Sequence, residues 1–143
     1  MKSAALALLV LAALGVGCSN NPSSPSSGTT STGSTIAPFF FAGTLAPRSS
    51  AFYSFNLTDA GVIDVTVVSL TSAPLIPTPN AIVGIGFGTP TGTTCGLTAS
   101  ASTGVGLVSQ LTAAAGVGTF CVSIFDVGSL TTSTNFVLRV THP

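Results

Sequence analysis

Short runs in which apolar and polar residues alternate one by one, each closed by Gly, Pro, Ser, Thr or Asp, recur along the chain from Phe39 to Thr141. In AFYSFNL, residues 51–57, Tyr53, Phe55 and Leu57 alternate with Phe52, Ser54 and Asn56; in VIDVTVV, residues 62–68, Ile63, Val65 and Val67 alternate with Asp64 and Thr66. A period of two sends alternate side chains to opposite faces of a strand, and no stretch of this region carries the longer period of a helix. Thr58, Asp59, Ala60 and Gly61 between the two runs predict a turn, with Gly61 free to take positive φ, and hence a hairpin.

Further strands are expected at Phe39–Leu45, Ile82–Phe87, Cys95–Ala99, Val105–Leu111, Thr119–Asp126 and Asn135–Thr141, separated by turn-rich pieces such as APRSS, SAPLIPTPN and GTPTGTT. AAAGVG, residues 113–118, is the one place where a helical turn could sit. About eight short strands at regular spacing predict an all-β fold: a two-layer antiparallel β-sandwich of the jelly-roll or Greek-key kind. The inward rows would be Tyr53 and Phe55; Ile63, Val65 and Val67; Val83, Ile85 and Phe87; Phe120, Val122 and Ile124; and Phe136, Leu138 and Val140.

Ahead of this domain, Lys2 and the apolar run Ala4–Val16 have the layout of an export signal, residues 1–17. At about 13 apolar residues the run is shorter than the roughly 20 that span a bilayer. Gly15, Val16, Gly17 and Cys18 resemble the lipobox of bacterial lipoproteins, in which small residues precede a cysteine that is acylated and becomes the new N-terminus. Leu14 stands one position further out than the leucine usual in that motif, and ordinary cleavage after Gly15 or Gly17 is the alternative. The resemblance implies that Cys18 is lipidated, and Ser19 after it, rather than Asp, resembles lipoproteins sent on to the outer membrane. Residues 18–35, with SNNPSSPSSGTTSTGST after the cysteine, read as a disordered tether spanning roughly 20–25 Å. The folding domain is then 36–143.

Cysteine arithmetic agrees. The chain has three cysteines, and an exported protein does not readily keep a free thiol. With Cys18 lipidated, Cys95 and Cys121 remain as a disulfide pair; two reduced thiols or metal ligands are the alternatives. By alternation Cys121 falls with Ser123 and Phe125 on the face opposite the core row, so the bridge would staple strands from outside the core or at an edge. Closing a loop of about 27 residues contributes about 3.5 kcal/mol in the chain-entropy model.

FFFAGTLAPRSSAFYSFNLTDAGVIDVTVVSL at the start of the domain and GTFCVSIFDVGSLTTSTNFVLRVTHP at its end resemble the pre-peptidase C-terminal (PPC) domain family. Its members open with a Gly-containing strand and a Ser-x-x-Tyr/Phe-x-Phe strand, continue through an Ala-Gly turn, and close with a Gly-Thr-aromatic strand and a final strand. The likeness covers most of Phe39 to Val140. It implies a jelly-roll-like sandwich and an accessory, non-catalytic role. In mid-domain AIVGIGFG, residues 81–88, stands where many members carry an Asp-Leu-Tyr-like strand, and the acidic clusters that bind calcium in some relatives are missing.

The chemistry-bearing residues are few. Charged residues make up 4% of the chain, with three Lys or Arg, three Asp or Glu and one His. No basic stripe exists to bind phosphates, which argues against a nucleic-acid partner. A nucleophile needs a base and an orienting group, and the single base, His142, lies beside the end of the sequence. Asp59, Asp64 and Asp126 are the only carboxylates for a glycosidase pair or a calcium site, and turn capping accounts better for Asp59 and Asp126. GIGFG lacks the following helix of a phosphate-binding loop and marks a strand that another backbone approaches closely. No enzyme activity, metal or cofactor is therefore expected.

Sugar-binding platforms rely on exposed Trp and Tyr, and the chain has no Trp and one Tyr, Tyr53, which alternation places inside. Phe39, Phe40 and Phe41 cannot all face one way; a first strand buried on both faces is expected, and an exposed phenylalanine serving as a contact site is the alternative. Two function classes remain. One is a surface-anchored, non-catalytic accessory or binding module of a bacterial cell envelope, held on the outer membrane or cell surface by its lipid and meeting a protein or polymer. The other is a structural subunit that self-associates through uncharged sheet faces and edges, which lack the Lys or Glu that blocks edge pairing.

Overall fold

A computed structural model describes residues 37–72, 76–78 and 80–143. The leader, the tether and the Cys18 anchor expected from the sequence lie outside the described residues. The described residues form nine strands: β1 (Phe39–Leu45), β2 (Ser50–Leu57), β3 (Gly61–Ser72), β4 (Ile76–Pro77), β5 (Val83–Thr91), β6 (Thr94–Thr103), β7 (Leu111–Ala115), β8 (Gly118–Asp126) and β9 (Thr134–Thr141). They pair antiparallel in two sheets. Sheet A has the order β1-β9-β3, with β7 and the two-residue β4 sharing the far side of β3; sheet B has the order β2-β8-β5-β6. The two antiparallel layers are those the alternation predicts, and setting the short β4 aside the strand order is that of a jelly roll.

The expected inward rows meet between the sheets. Ile63, Val65, Val67, Val83, Ile85, Phe87, Val122, Ile124, Phe136, Leu138 and Val140 are buried, and Tyr53 and Phe120 pack against them half-buried. β9 keeps strict alternation along its whole length. β3 does not: the pairing shifts between Val67 and Ser69, leaving Val68 as a bulge. An extra residue reverses which positions point inward, so Leu70 joins the core where unbroken alternation would bury Ser69.

Three local expectations are corrected. β2 and β3 are not a hairpin, since β2 pairs with β8 in one sheet and β3 with β9 in the other. Thr58–Ala60 carries the chain across the sandwich, and Gly61 makes room for Pro143, whose ring lies 2.5 Å from where a Cβ would stand. Residues 104–110 are a loop rather than a strand, and the chain returns to the sheet only at Leu111. Ala113–Ala115, read as a possible helical turn, belong to β7 because their backbone groups pair with Gly61–Ile63 of β3. Between β5 and β6 a two-residue turn, Gly92–Thr93, has Gly92 at φ 63°, where glycine closes a hairpin without strain.

Candidate functional site

The ionisable side chains are dispersed. Asp126 ends β8 and ties down two turns: its Oδ2 accepts the Arg48 N–H at 2.8 Å, and its Oδ1 accepts those of Gly128, Ser129 and Leu130 at 2.9–3.1 Å. The Arg48 N–H, with the other three, holds the carboxyl below its usual range against the opposing effect of partial desolvation. Arg48 itself sits at φ 59°, a left-handed conformation that a side chain tolerates only when its surroundings enforce it. Asp59 lies in the β2–β3 connection, at the opposite end of β8 from Asp126, a strand of nine residues and roughly 26 Å away. Asp64, on the outer face of sheet A, accepts a 2.6 Å hydrogen bond from Thr112. His142 stacks on Phe39 at 4.4 Å and its Nδ1 meets the Pro143 carbonyl at 3.1 Å. Asp126 and Asp64 close a turn and an edge, Asp59 accepts a hydrogen bond from the adjacent Thr58, and the buried His142 Nε2 has no hydrogen-bond partner among the described residues. Among the described residues no three of His, Cys, Asp and Glu cluster.

The two outer faces of the sandwich differ. Sheet B covers its own. Gly84, Gly86 and Gly88 of β5 all face outward, and the space a Cβ would occupy is filled by the Phe125 ring, the Leu97 side chain and the Gly96 carbonyl respectively. The close backbone approach expected of GIGFG is therefore realised at Gly88, while its two companion glycines admit side chains. Because β6 can fold down over Gly88, Cys95 reaches across β5 to Cys121 on β8. The two are disulfide-bonded with Cα atoms 5.9 Å apart, on the outer face rather than in the core. The sulfur, Phe125 and Leu97 make a thin second apolar layer on this face.

Sheet A leaves part of its outer face open, the rest being covered by Arg139 and the loop that carries Leu107, beneath which Thr66 is buried. A groove of about 650 Å³ runs across β1, β9 and β3 over Ala42, Thr44, Asn135, Val137, Ser69 and Thr71. A second hollow of about 290 Å³ continues it past Val68, Pro77 and Val105. The floor is shallow because its residues are small, and none is charged. Along one flank stand Phe40, with 60% of its surface exposed, and Leu107, with 91% exposed. Between them lies Arg139, whose Nη2 donates to the Leu107 carbonyl at 3.2 Å.

Phe40 settles the reading of the phenylalanine triplet. Phe39 and Phe41 face inward, within 6.1 Å of Phe55, and Phe41 stacks on Tyr53 at 4.9 Å. Phe40 alone points out. The groove was not legible in the sequence: its floor comes from three strands that are not consecutive, and small residues on a strand carry no signal of what lies beside them.

A cleft of about 290 Å³ at the Asp126 end is lined by Thr78, Asn80, Ser129, Leu130, Thr132 and Thr134 among others. Three of its five hydroxyls already serve the fold. Ser129 donates to the Ile82 carbonyl at 2.6 Å and accepts its N–H at 3.0 Å; Thr78 and Thr134 donate to backbone carbonyls at 3.2 Å. The open face of sheet A is therefore the better candidate for contact with another molecule.

The chain matches no protein-family profile, and no curated protein is significantly similar to it.

Proposed function

We propose that the protein is a lipid-anchored, non-catalytic accessory module of the bacterial cell envelope, of the PPC-like kind. Cys18 holds it to the outer membrane or cell surface, residues 19–35 form the tether, and the open face of sheet A meets a protein or polymer. The observation that carries this reading is the contrast between the two outer faces: sheet B is covered by its own side chains, whereas sheet A presents an uncharged groove flanked by exposed Phe40. Apolar surface left in water is unfavourable by about 25 cal/mol per Å², so a contiguous exposed apolar patch marks an interaction site. The near absence of charge suits an uncharged partner, with specificity set by shape.

The test uses the full chain with Cys18→Ser, so that insertion of the lipid does not mask the face. Binding to isolated cell envelopes is measured for this protein and for the same protein carrying Val137→Asp, which puts a charge on the groove floor. The expected outcome is co-sedimentation that the second substitution removes. Equal co-sedimentation of the two would refute the contact face.

The unguarded edge beside Phe40 favours a second reading, a subunit that pairs with copies of itself.

A further inference from the structure

The edges of sheet A are treated unequally. On the far side of β3 the edge is broken into short pieces: the five-residue β7 and the two-residue β4 pair with its two ends. Between them Gln110 Oε1 accepts the Val67 N–H at 2.7 Å, while the N–H groups of Gly106 and Gln110 donate to the Val67 and Val65 carbonyls at 3.0 Å. On the near side, β1 pairs among the described residues with β9 alone, in a continuous register from Phe39 to Leu45 without a bulge. Between Ala37 and Pro47 no residue is charged, so β1 lacks the devices that keep an edge from pairing. The neighbouring edges are better guarded. β2 lies between Arg48 and Asp59, and β6 carries a bulge at Thr98, since Phe87 pairs with Ala99 and Gly88 with Leu97.

The hydrogen bonds fix which groups β1 presents. Val65 and Val67 turn their backbone groups toward Gln110, so the pairs of β3 and β9 that exchange hydrogen bonds are Asp64 with Thr141 and Thr66 with Arg139. By antiparallel alternation Leu138 and Val140 then bond Phe41 and Phe39, and Phe40, Ala42 and Thr44 direct their N–H and C=O groups outward. The Tyr53 hydroxyl, reaching through the space left by Gly43, donates to the Ala42 carbonyl at 3.1 Å from the inner side. A carbonyl has a second lone pair for a partner.

We propose that β1 pairs antiparallel with β1 of a second copy of this chain about a two-fold axis at Ala42, seating Phe40 of each copy in the groove of the other. Only one two-fold register uses all the outward groups at once: Phe40 against Thr44, Ala42 against Ala42 and Thr44 against Phe40. Each of these pairs exchanges two hydrogen bonds. In that register the exposed Phe40 ring lies opposite Thr44 on the same outer face, at the mouth of the groove that Ala42 and Thr44 begin. Knob and hollow sit on one strand at the spacing the register requires, which is the self-complementarity of an isologous contact. The absence of charge on β1 lets identical strands meet without repulsion. The contact lies at the small end of specific interfaces, below about 1,200 Å², so pairing depends on concentration.

The pairing names the partner of the contact face proposed above and rests on that reading. The full chain, with p-benzoylphenylalanine in place of Phe40, is irradiated in its native membrane. The expected product has twice the chain mass, joined to the segment around Thr44 or Asn135. An adduct of any other mass overturns the pairing and leaves the contact face standing; no adduct overturns both. A second test uses the residue on the axis, which meets itself. Ala42→Lys and Ala42→Asp, both on an exposed position, each weaken the pairing up to about fivefold by like-charge repulsion, and an equimolar mixture restores it. A mixture that stays monomeric, or Ala42→Lys alone pairing like the wild type, overturns the two-fold register.

Discussion

A methyl group added at Gly88 tests the outer layer of sheet B at its tightest point. A Cβ there would overlap the Gly96 carbonyl oxygen and stand 2.7 Å from the Gly96 carbonyl carbon and 2.9 Å from Leu97 Cα. Ordinary carbon contacts lie at about 3.5–4.0 Å, so β6 must lift by about 1 Å. All three obstacles are backbone, and the disulfide at the adjacent Cys95 resists the movement. Overpacking of this kind costs about 1–3 kcal/mol, and the upper end applies where no side chain can rotate away. About 0.5–1 kcal/mol returns through the stiffer unfolded chain. The net loss for Gly88→Ala is about 2 kcal/mol, or about 10 °C in Tm at roughly 5 °C per kcal/mol for a domain of this size. Gly86→Ala meets only the tip of Leu97, which is 42% exposed and free to turn, and costs less than about 1.5 kcal/mol. Gly116→Ala meets nothing within 4 Å and leaves Tm within a few degrees of wild type. Thermal unfolding of the three oxidised variants, followed by circular dichroism, gives the order. A Gly88→Ala protein that melts with the wild type, or below which Gly86→Ala falls, would refute the close crossing of β6 over β5.

Three other perturbations follow from the same contacts. Replacing Cys95 and Cys121 together by Ala removes a link across 26 residues, worth about 3.5 kcal/mol by loop entropy; the variant should melt about 17 °C lower, and an unchanged Tm would mean the bridge does not constrain the unfolded chain. Asp126 has its folded pKa depressed, so its contribution is complete above the unfolded pKa and is lost as pH falls through the folded value. Asp126→Ala should be less stable than wild type at neutral pH, with the gap closing below about pH 4 in acid titration; a gap that widened on acidification would contradict the role of the carboxylate. Gln110→Ala leaves the N–H of fully buried Val67 without its acceptor, at a cost of about 1–3 kcal/mol, measured by urea unfolding; no loss would show that another group replaces the amide.

Alternation made the core legible because a strand with one buried face writes that face into its sequence. Phe136, Leu138 and Val140 could be placed without knowing what they touch. What alternation does not carry is partnership. Thr58–Gly61 has the chemistry of a tight turn, and such a turn serves equally to close a hairpin or to pass the chain between sheets. The choice was made by β8 and β9, more than 50 residues further on, which take β2 and β3 into different layers. The bulge at Val68 is hidden for a related reason: two adjacent valines are compatible with either phase, and the burial of Leu70 decides it. Val105–Leu111 has enough apolar residues to imitate a strand, yet Gly104 and Gly106 flank a loop whose structural role falls to the polar Gln110. Alanines 113–115 favour a helix in isolation, and pairing with β3 overrides that weak preference. For the candidate site, the sequence showed only that the three phenylalanines of the triplet cannot share a face; it did not show that Phe40 stands exposed rather than buried beneath a neighbour. The groove beside it depends on residues drawn from β1, β3 and β9, whose sizes matter only once they are neighbours.

The central claim, a disulfide-stapled module held to a membrane by Cys18, is tested most directly by intact mass spectrometry of the protein taken from its native membrane, before and after reduction. The expected result is a chain beginning at Cys18 with the added mass of its acyl groups, gaining two hydrogens when the Cys95–Cys121 bond is reduced. A chain of unmodified mass beginning at Val16 or Cys18 would contradict the anchor and describe a secreted protein with a spare thiol.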